Sequence, residues 1–168
     1  MKIMLTGSRH LGVCEHPGGD RHPCTEAMRH RYLMDRAMRE HVHPLARTTS
    51  RRVGGPMAEL HNVAVLELYH GDAKGADRLA ASYWETYHFG PVHAIPANWA
   101  ELRGRAGHVR NGLLVAQMPE FVLAFPWQQG SQWLSMGTRD AIRQAMAAGI
   151  PVHPYPIREI CPAIPWRR

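Results

Sequence analysis

The stretch VAVLELYHGDAKGADRLAASYW, residues 63–84, decides the fold of this chain. Its first part, residues 63–69, is mostly apolar and rich in residues that favour strands, which predicts a buried strand. A glycine-containing loop, HGDAKGAD, follows at residues 70–77, and from Ala76 onward apolar residues recur at helical spacing. A strand that passes through a glycine loop into a helix is the repeating unit of parallel α/β sheets.

The same alternation extends outward in both directions. Further strands are predicted at residues 2–6, 92–95, 121–125 and 150–153, and further helices at residues 24–42, 107–117 and 138–148. Strands that alternate with helices imply right-handed crossovers and a sheet covered on both faces. The sequence therefore predicts an α/β fold, namely a Rossmann-like three-layer sandwich with a mostly parallel five-stranded sheet.

The segments between these elements complete the predicted organisation. Residues 1–153 are expected to form one domain, with a helix and a variable insertion at residues 14–62. Residues 43–61 show no periodicity and predict a mobile surface segment, and residues 96–106 predict a long loop. In residues 154–168, repeated prolines argue against a regular helix or a central strand, so this tail is expected to lie extended over the surface.

The composition is typical of one globular domain. The chain has 168 residues, of which 45% are hydrophobic, and this is enough for a single core. The formal net charge of +6, from 20 Lys and Arg against 14 Asp and Glu, favours an anionic partner. No segment approaches the roughly 18 consecutive apolar residues of a membrane span. We therefore expect a soluble, cytoplasmic protein with no membrane partner.

Cysteine and histidine residues cluster near the amino terminus. Cys14, His16, His22 and Cys24 are four potential zinc ligands within a short polar segment, which leaves a structural zinc site open. Their spacing matches no common zinc signature, and the 12 histidines of the chain make chance clustering the simpler explanation. We expect neither a metal nor a cofactor.

Glycine loops follow three of the predicted strands, and ligands of such sheets bind beside the carboxyl ends of the strands. Gly7, Ser8 and Arg9 offer open backbone N–H groups, a hydroxyl and a guanidinium, which suit a phosphate. The segment from Gly130 through Gly137 to Thr138 resembles a phosphate cradle at a helix N-terminus, although Thr138 also suits a helix cap. Asp72 and Asp77 suit ribose hydroxyls or a loop arginine, and their alternative role is that of turn and cap residues, which we favour for Asp77. The chain contains no Gly-Lys-Ser/Thr, which argues against ATP hydrolysis of the P-loop type.

Several short motifs together resemble the SLOG superfamily, a Rossmann-like group that includes the Lonely Guy phosphoribohydrolases and the DNA-processing protein A family. These motifs are TGSR (6–9), HGDAKGAD (70–77), PANW (96–99), GHVRN (107–111), AFP (124–126) and GTRDAIRQAMAAGIPV (137–152). The resemblance covers residues 1–13 and 63–153, and it is nearest to small uncharacterised bacterial and phage members. It implies a nucleotide-derived ligand, bound across the ends of the first and fourth strands, and a homo-oligomer.

The resemblance also extends the set of candidate residues. It adds Arg110, Asn111 and Pro126, so the predicted ligand-binding residues are Gly7, Ser8, Arg9, Gly71, Asp72, Gly75, Arg110, Asn111, Pro126, Gly130, Gly137 and Thr138. The Lonely Guy enzymes use an arginine, to which Arg110 corresponds, and the glutamate of a PGGxGTxxE motif. Here Ala141 stands at that glutamate position, and Pro126-Trp127-Gln128 replaces PGG with extra residues before Gly137.

Three functions follow, in order of preference. The first is binding of a nucleotide or a nucleotide-derived ligand, as a sensor or sink. The second is cleavage of an N-glycosidic bond by a nucleoside-monophosphate phosphoribohydrolase, in which Arg110 and a carboxylate, Asp72 or Asp140, would be catalytic. On a helix Asp140 points away from the apolar face, which weakens that choice.

The third function is DNA binding through Arg29, Arg36, Arg51 and Arg52, which ranks last because Tyr32 is the single aromatic residue among them in the sequence. Trp99, Trp127 and Trp133 lie instead in the loops of the expected ligand crevice. There they either stack on a base or pack the loops.

Overall fold

The computed structural model describes residues 1–13, 25–46 and 65–158. Its strands are β1 (Lys2–Gly7), β2 (Glu67–His70), β3 (Val92–Ala94), β4 (Phe121–Phe125), β5 (Gln128–Gln129), β6 (Gln132–Trp133) and β7 (Val152–Pro154). Its helices are α1 (Thr25–His41), α2 (Ala76–Thr86), α3 (Trp99–Leu102), α4 (Ala106–Val115) and α5 (Met136–Ala147), with a 3-10 turn at Arg103–Arg105. Among these described residues, no helix combines the length and the apolar composition that crossing a membrane requires.

The central sheet is parallel and has the strand order β3-β2-β1-β4-β7. Met4 of β1 pairs with Tyr69 on one side and with Val122 on the other, so β1 occupies the centre. The chain moves outward from β1 to β3 and then returns to the other side of β1 to form β4 and β7. The carboxyl ends of β1 and β4 therefore meet at a topological switch point, where open α/β sheets bind their ligands.

Helices cover both faces of the sheet because neighbouring residues of a strand point to opposite sides. Ile3 packs in one core with residues of α1 and α2, including the fully buried Trp84. Met4, the next residue, packs in a second core with Leu114 of α4 and Ile142 of α5. The predicted α/β class, the five-stranded parallel sheet and the Rossmann-like three-layer sandwich are confirmed.

Several predicted loop segments are wrong in detail. Residues 96–106 are not a long loop, because they contain α3 and the 3-10 turn. The side-chain oxygen of Asn98 accepts a hydrogen bond from the N–H of Glu101 at 3.2 Å and so caps α3. Residues 43–46 form a helical turn after α1, which corrects the start of the predicted mobile segment, and residues 47–61 lie outside the described part of the chain.

Two element boundaries and one hairpin also differ from expectation. Strand β2 begins at Glu67, since residues 65 and 66 precede it without pairing in the sheet, and α5 begins at Met136 rather than at Thr138. Between β4 and α5 the chain forms an antiparallel hairpin, in which Gln128 pairs with Trp133. Its two-residue strands are too short to leave a pattern of alternation in the sequence.

The beginning of the proline-rich tail belongs to the sheet and the core, so the prediction of a surface tail is wrong for these residues. Pro154 pairs with Ala124 as the last residue of β7, an edge strand in which a missing N–H is tolerated. Tyr155 and Ile157 are 9% and 2% exposed and pack in the core beneath α1. Ile157 also forms a parallel bridge to Trp127. Residues 159–168 lie outside the described part of the chain.

Candidate functional site

Two adjoining cavities open at the switch point, beyond the carboxyl ends of β1, β2 and β4. The inner cavity has a volume of about 330 Å³ and is lined by residues 6–10, by residues 134–138 at the start of α5, and by Ala73, Asp77, Arg110 and Trp127. The outer cavity has a volume of about 580 Å³ and is lined by residues 71–74, 96, 97 and 99 together with Arg9 and Arg110. Arg9, Ala73 and Arg110 line both cavities and therefore form the boundary between them.

The loop after β1 is fixed by backbone contacts to its neighbours. The Ser8 N–H donates to the carbonyl of Phe125 at 2.9 Å, and the Ser8 carbonyl accepts from the N–H of Ala76 at 3.1 Å. A Cβ on Gly7 would lie 2.9 Å from the Cβ of Phe125 and closer still to that of Ala76. Gly75 has φ +85°, and a Cβ there would lie 2.5 Å from the Ser8 carbonyl oxygen. Both glycines therefore allow β1, β4 and α2 to approach closely.

The loop after β2 is organised by a buried carboxylate. Asp77 is 4% exposed, and its Oδ2 accepts hydrogen bonds from the N–H groups of Gly71 and Ala73 at 3.0 and 3.1 Å. Burial raises the pKa of Asp77 to about 6, although these N–H groups and Arg110 favour the ionised form. In the same loop, Asp72 has φ +54° and is exposed, and its N–H donates to Nδ1 of His70 at 3.1 Å.

The guanidinium of Arg110 reaches from α4 to the loop after β2. Its Nη1 donates to the carbonyl of Gly71, and its Nε donates to Oδ1 of Asn111 at 3.0 Å. Burial lowers the pKa of Arg110; the charge of Asp77 counteracts this, and the nearby positive charge of Arg9 adds to it. Two arginines that repel each other beside a cavity favour the binding of an anion between them.

A buried amide connects Arg110 to the first turn of α5. Asn111 is 2% exposed, and its Nδ2 donates to the carbonyl of Gly137 at 3.1 Å and to Oδ2 of Asp140 at 2.9 Å. Burial opposes ionisation of Asp140, but hydrogen bonds from Asn111, His108 and Gln144 lower its pKa overall. Asn111 and Asp140 therefore position the arginine and the helix rather than line a cavity.

The N-terminus of α5 faces the inner cavity. Ser135 is the N-cap residue, but its hydroxyl accepts from the N–H of Trp127 at 3.0 Å, and its side chain does not cap the helix. A Cβ on Gly137 would meet no atom within 4 Å, so the approach to this turn is open. The unsatisfied N–H groups of a first helical turn and the positive end of the helix dipole both attract anions.

The structure brings most of the predicted residues together. The predicted residues that line a cavity are Gly7, Ser8, Arg9, Gly71, Asp72, Arg110, Gly137 and Thr138. Gly75 and Asn111 line neither cavity, but Gly75 packs against the Ser8 carbonyl and Asn111 holds Arg110. Pro126 and Gly130 line neither cavity; Gly130 is an exposed residue with φ +56° in the turn of the β5–β6 hairpin. The zinc candidates Cys14, His16, His22 and Cys24 lie outside the described residues.

Two titratable residues that line the inner cavity were not among the ligand-binding residues predicted from the sequence. Asp77 was interpreted as a turn or cap residue, yet it lines the inner cavity while it holds the loop. His10 also lines the inner cavity, and its ring packs edge-on against Trp127 with centroids 5.7 Å apart. Its place directly after Gly7-Ser8-Arg9 was a signal that could have identified it.

Comparison with known proteins gives one informative match. The Gene 61 protein of Mycobacterium phage D29 is 37% identical over 101 residues, which cover 56% of this chain and 75% of the phage protein. No family model matches the chain, and no solved structure matches it. The chain belongs to the same family as the phage protein.

Proposed function

We propose that this relative of the phage D29 Gene 61 protein binds a nucleotide or a nucleotide-derived ligand, as a sensor or sink, in the two cavities at the switch point. The observation that carries the proposal is the convergence of Arg9, Arg110 and the first turn of α5 on the inner cavity. Each of these groups favours negative charge, and together they suit a phosphate.

The arrangement of the site supports binding of the ligand without a large rearrangement. Arg110 is already held by Gly71 and Asn111, and Asn111 is held in turn by Gly137 and Asp140. A preorganised site loses less conformational entropy when its ligand binds. The resemblance to the SLOG superfamily agrees with a phosphate-bearing ligand at this end of the sheet, and it also suggests that the protein is a homo-oligomer. The cytoplasmic location expected from the sequence is part of the same proposal.

The second candidate function, N-glycosidic cleavage, has weaker support from the geometry. Ala141 is fully buried at the position of the family's catalytic glutamate. Asp140 lines neither cavity and is engaged by Asn111, so of the two carboxylates considered for catalysis only Asp72, which is exposed, borders a cavity. DNA binding is also less well supported, because Arg36 of the proposed basic surface pairs with Glu40 at 2.7 Å.

Binding and turnover can be measured in the same samples. We would incubate the protein with AMP, NAD, ADP-ribose and cyclic AMP, record the thermal midpoint, and separate the products by chromatography. A rise in the midpoint without new products supports a sensor or sink, because selective binding to the native state must stabilise it. Release of free base would establish the hydrolase instead, and no effect from any ligand would make DNA the leading candidate.

A pair of arginine variants tests whether the ligand binds at the boundary of the two cavities. Arg9 is exposed at the boundary of the cavities, and Arg31 is exposed on α1, away from the crevice. Arg9→Ala is expected to weaken binding about tenfold or more, since a hydrogen bond to a charged group contributes roughly 1.5–3 kcal/mol. Arg31→Ala removes the same charge and is expected to leave affinity unchanged. Equal losses in both variants would refute a specific site at the boundary.

A further inference from the structure

Each cavity has a tryptophan in its lining, and the one in the outer cavity, Trp99, is exposed, whereas Trp127 in the inner cavity is half-buried. Trp99 lines this cavity and is 53% exposed, which is unusual for so large an apolar side chain in a concave site. Pro96 and Ala97 continue the apolar wall beside it. The first turn of α5 does not border this cavity; Arg9 and Arg110 lie at its boundary with the inner cavity, and Lys74 is a further cation in its lining.

Local structure holds Trp99 in place. It is the first residue of α3, and its N–H donates to the carbonyl of Ala97 at 3.0 Å. Asn98 caps the helix through the N–H of Glu101. The Cη2 atom of the indole lies 3.6 Å from the position that a Cβ on Gly107 would take, so α4 backs one edge of the ring. An exposed ring in a fixed position provides a stacking surface at little entropic cost.

We propose that the outer cavity is the base subsite for a nucleoside 5′-phosphate, with the base stacked on Trp99 and the phosphate directed past Arg9 and Arg110 toward α5. The inference rests on the proposed function and adds to it the orientation of the ligand and the residue that recognises the base. A volume of about 580 Å³ lies within the range of small-molecule sites. The exposed carboxylate of Asp72 borders the same cavity near the arginines, where it accepts hydrogen bonds from ribose hydroxyls.

Calorimetric titration separates the base from the phosphate. The probes are AMP, GMP, CMP and UMP, compared with ribose 5-phosphate, which has the same anionic end and no base. We expect wild-type protein to bind at least one nucleotide about tenfold more tightly than ribose 5-phosphate, because stacking on an aromatic side chain favours any base. Trp99→Ala should remove this advantage and leave the affinity for ribose 5-phosphate unchanged, and Trp99→Phe should restore most of it.

A matched control and the contrary outcomes complete the test. Tyr32 is a 71% exposed aromatic residue on α1, and Tyr32→Ala should leave every affinity unchanged. Equal binding of nucleotides and ribose 5-phosphate by the wild type would overturn the base subsite and leave the anion site standing. A Trp99→Ala variant that keeps the full preference for nucleotides would also overturn the base subsite. If neither nucleotide nor ribose 5-phosphate binds to the wild type, the base subsite is overturned; the proposed function fails with it only if NAD, ADP-ribose and cyclic AMP also leave the thermal midpoint unchanged.

Discussion

Replacement of Gly71 by alanine tests how the site is built. A Cβ at this position would overlap the guanidinium of Arg110, whose atoms are the three nearest to it, and the φ of Gly71 is not in the left-handed region. The guanidinium must therefore move away from the Gly71 carbonyl. A hydrogen bond to a charged group contributes about 1.5–3 kcal/mol, and hydration of the displaced group offsets part of this. We expect Gly71→Ala to lower the free energy of unfolding by about 1–3 kcal/mol, measured by urea denaturation.

Ligand affinity should also fall, by about tenfold to hundredfold, because Arg110 leaves the boundary of the two cavities. Isothermal titration with the nucleotide that gives the largest thermal shift measures this loss. The control is a double-mutant cycle with Arg110→Ala. Once the guanidinium is absent, Gly71→Ala should cost less than about 0.5 kcal/mol more. The same cost of Gly71→Ala in both backgrounds would refute the idea that Arg110 is the group that requires glycine at position 71.

Three further predictions concern positions around the site. The pKa of Asp77 is raised from 3.8 to about 6, so its contribution to stability is present below pH 3.8 and is lost as the pH rises through 6. The free energy of unfolding of the wild type, measured by urea denaturation at several pH values, should therefore fall by on the order of 2–3 kcal/mol over this range, and Asp77→Asn should remove that fall. Asn111→Asp places a carboxylate against Asp140 and should lower the thermal midpoint more at pH 7 than at pH 4, whereas equal shifts would argue against charge repulsion. Ile157→Ala should cost about 2–4 kcal/mol by leaving a cavity, and Arg158→Ala, at an exposed neighbour, should cost almost nothing; matching midpoints would contradict a core role for Ile157.

The sheet could be predicted because its strands are defined by local composition. The run FVLAF at residues 121–125 is apolar throughout, as a strand covered on both faces requires, and the observed β4 has the same bounds. Glycine at the end of β1 and directly after β2 indicated where the chain turns at the edge of the sheet. Since the ends of parallel strands share one edge, the position of the crevice followed from the same observation.

The contacts that complete the site could not be predicted because they join distant parts of the chain. Arg110 and Gly71 are 39 residues apart, and nothing in either segment indicates that a guanidinium covers that glycine. Asp77 was interpreted through local turn chemistry, and its burial depends on how α2 packs. The four-residue α3, from Trp99 to Leu102, is too short to show helical periodicity. Proline at position 154 suggested a surface tail because the sequence does not show that β7 is an edge strand.

The shared wall between the two cavities constrains how this family can diverge. Arg9 and Arg110 border both cavities, so a substitution at either residue changes the inner and outer halves of the site together. Trp99 and Asp72 border the outer cavity alone. Relatives that have acquired a different ligand are therefore expected to keep the two arginines and to vary at residues 72 and 99, so that selectivity evolves while the anion anchor is inherited.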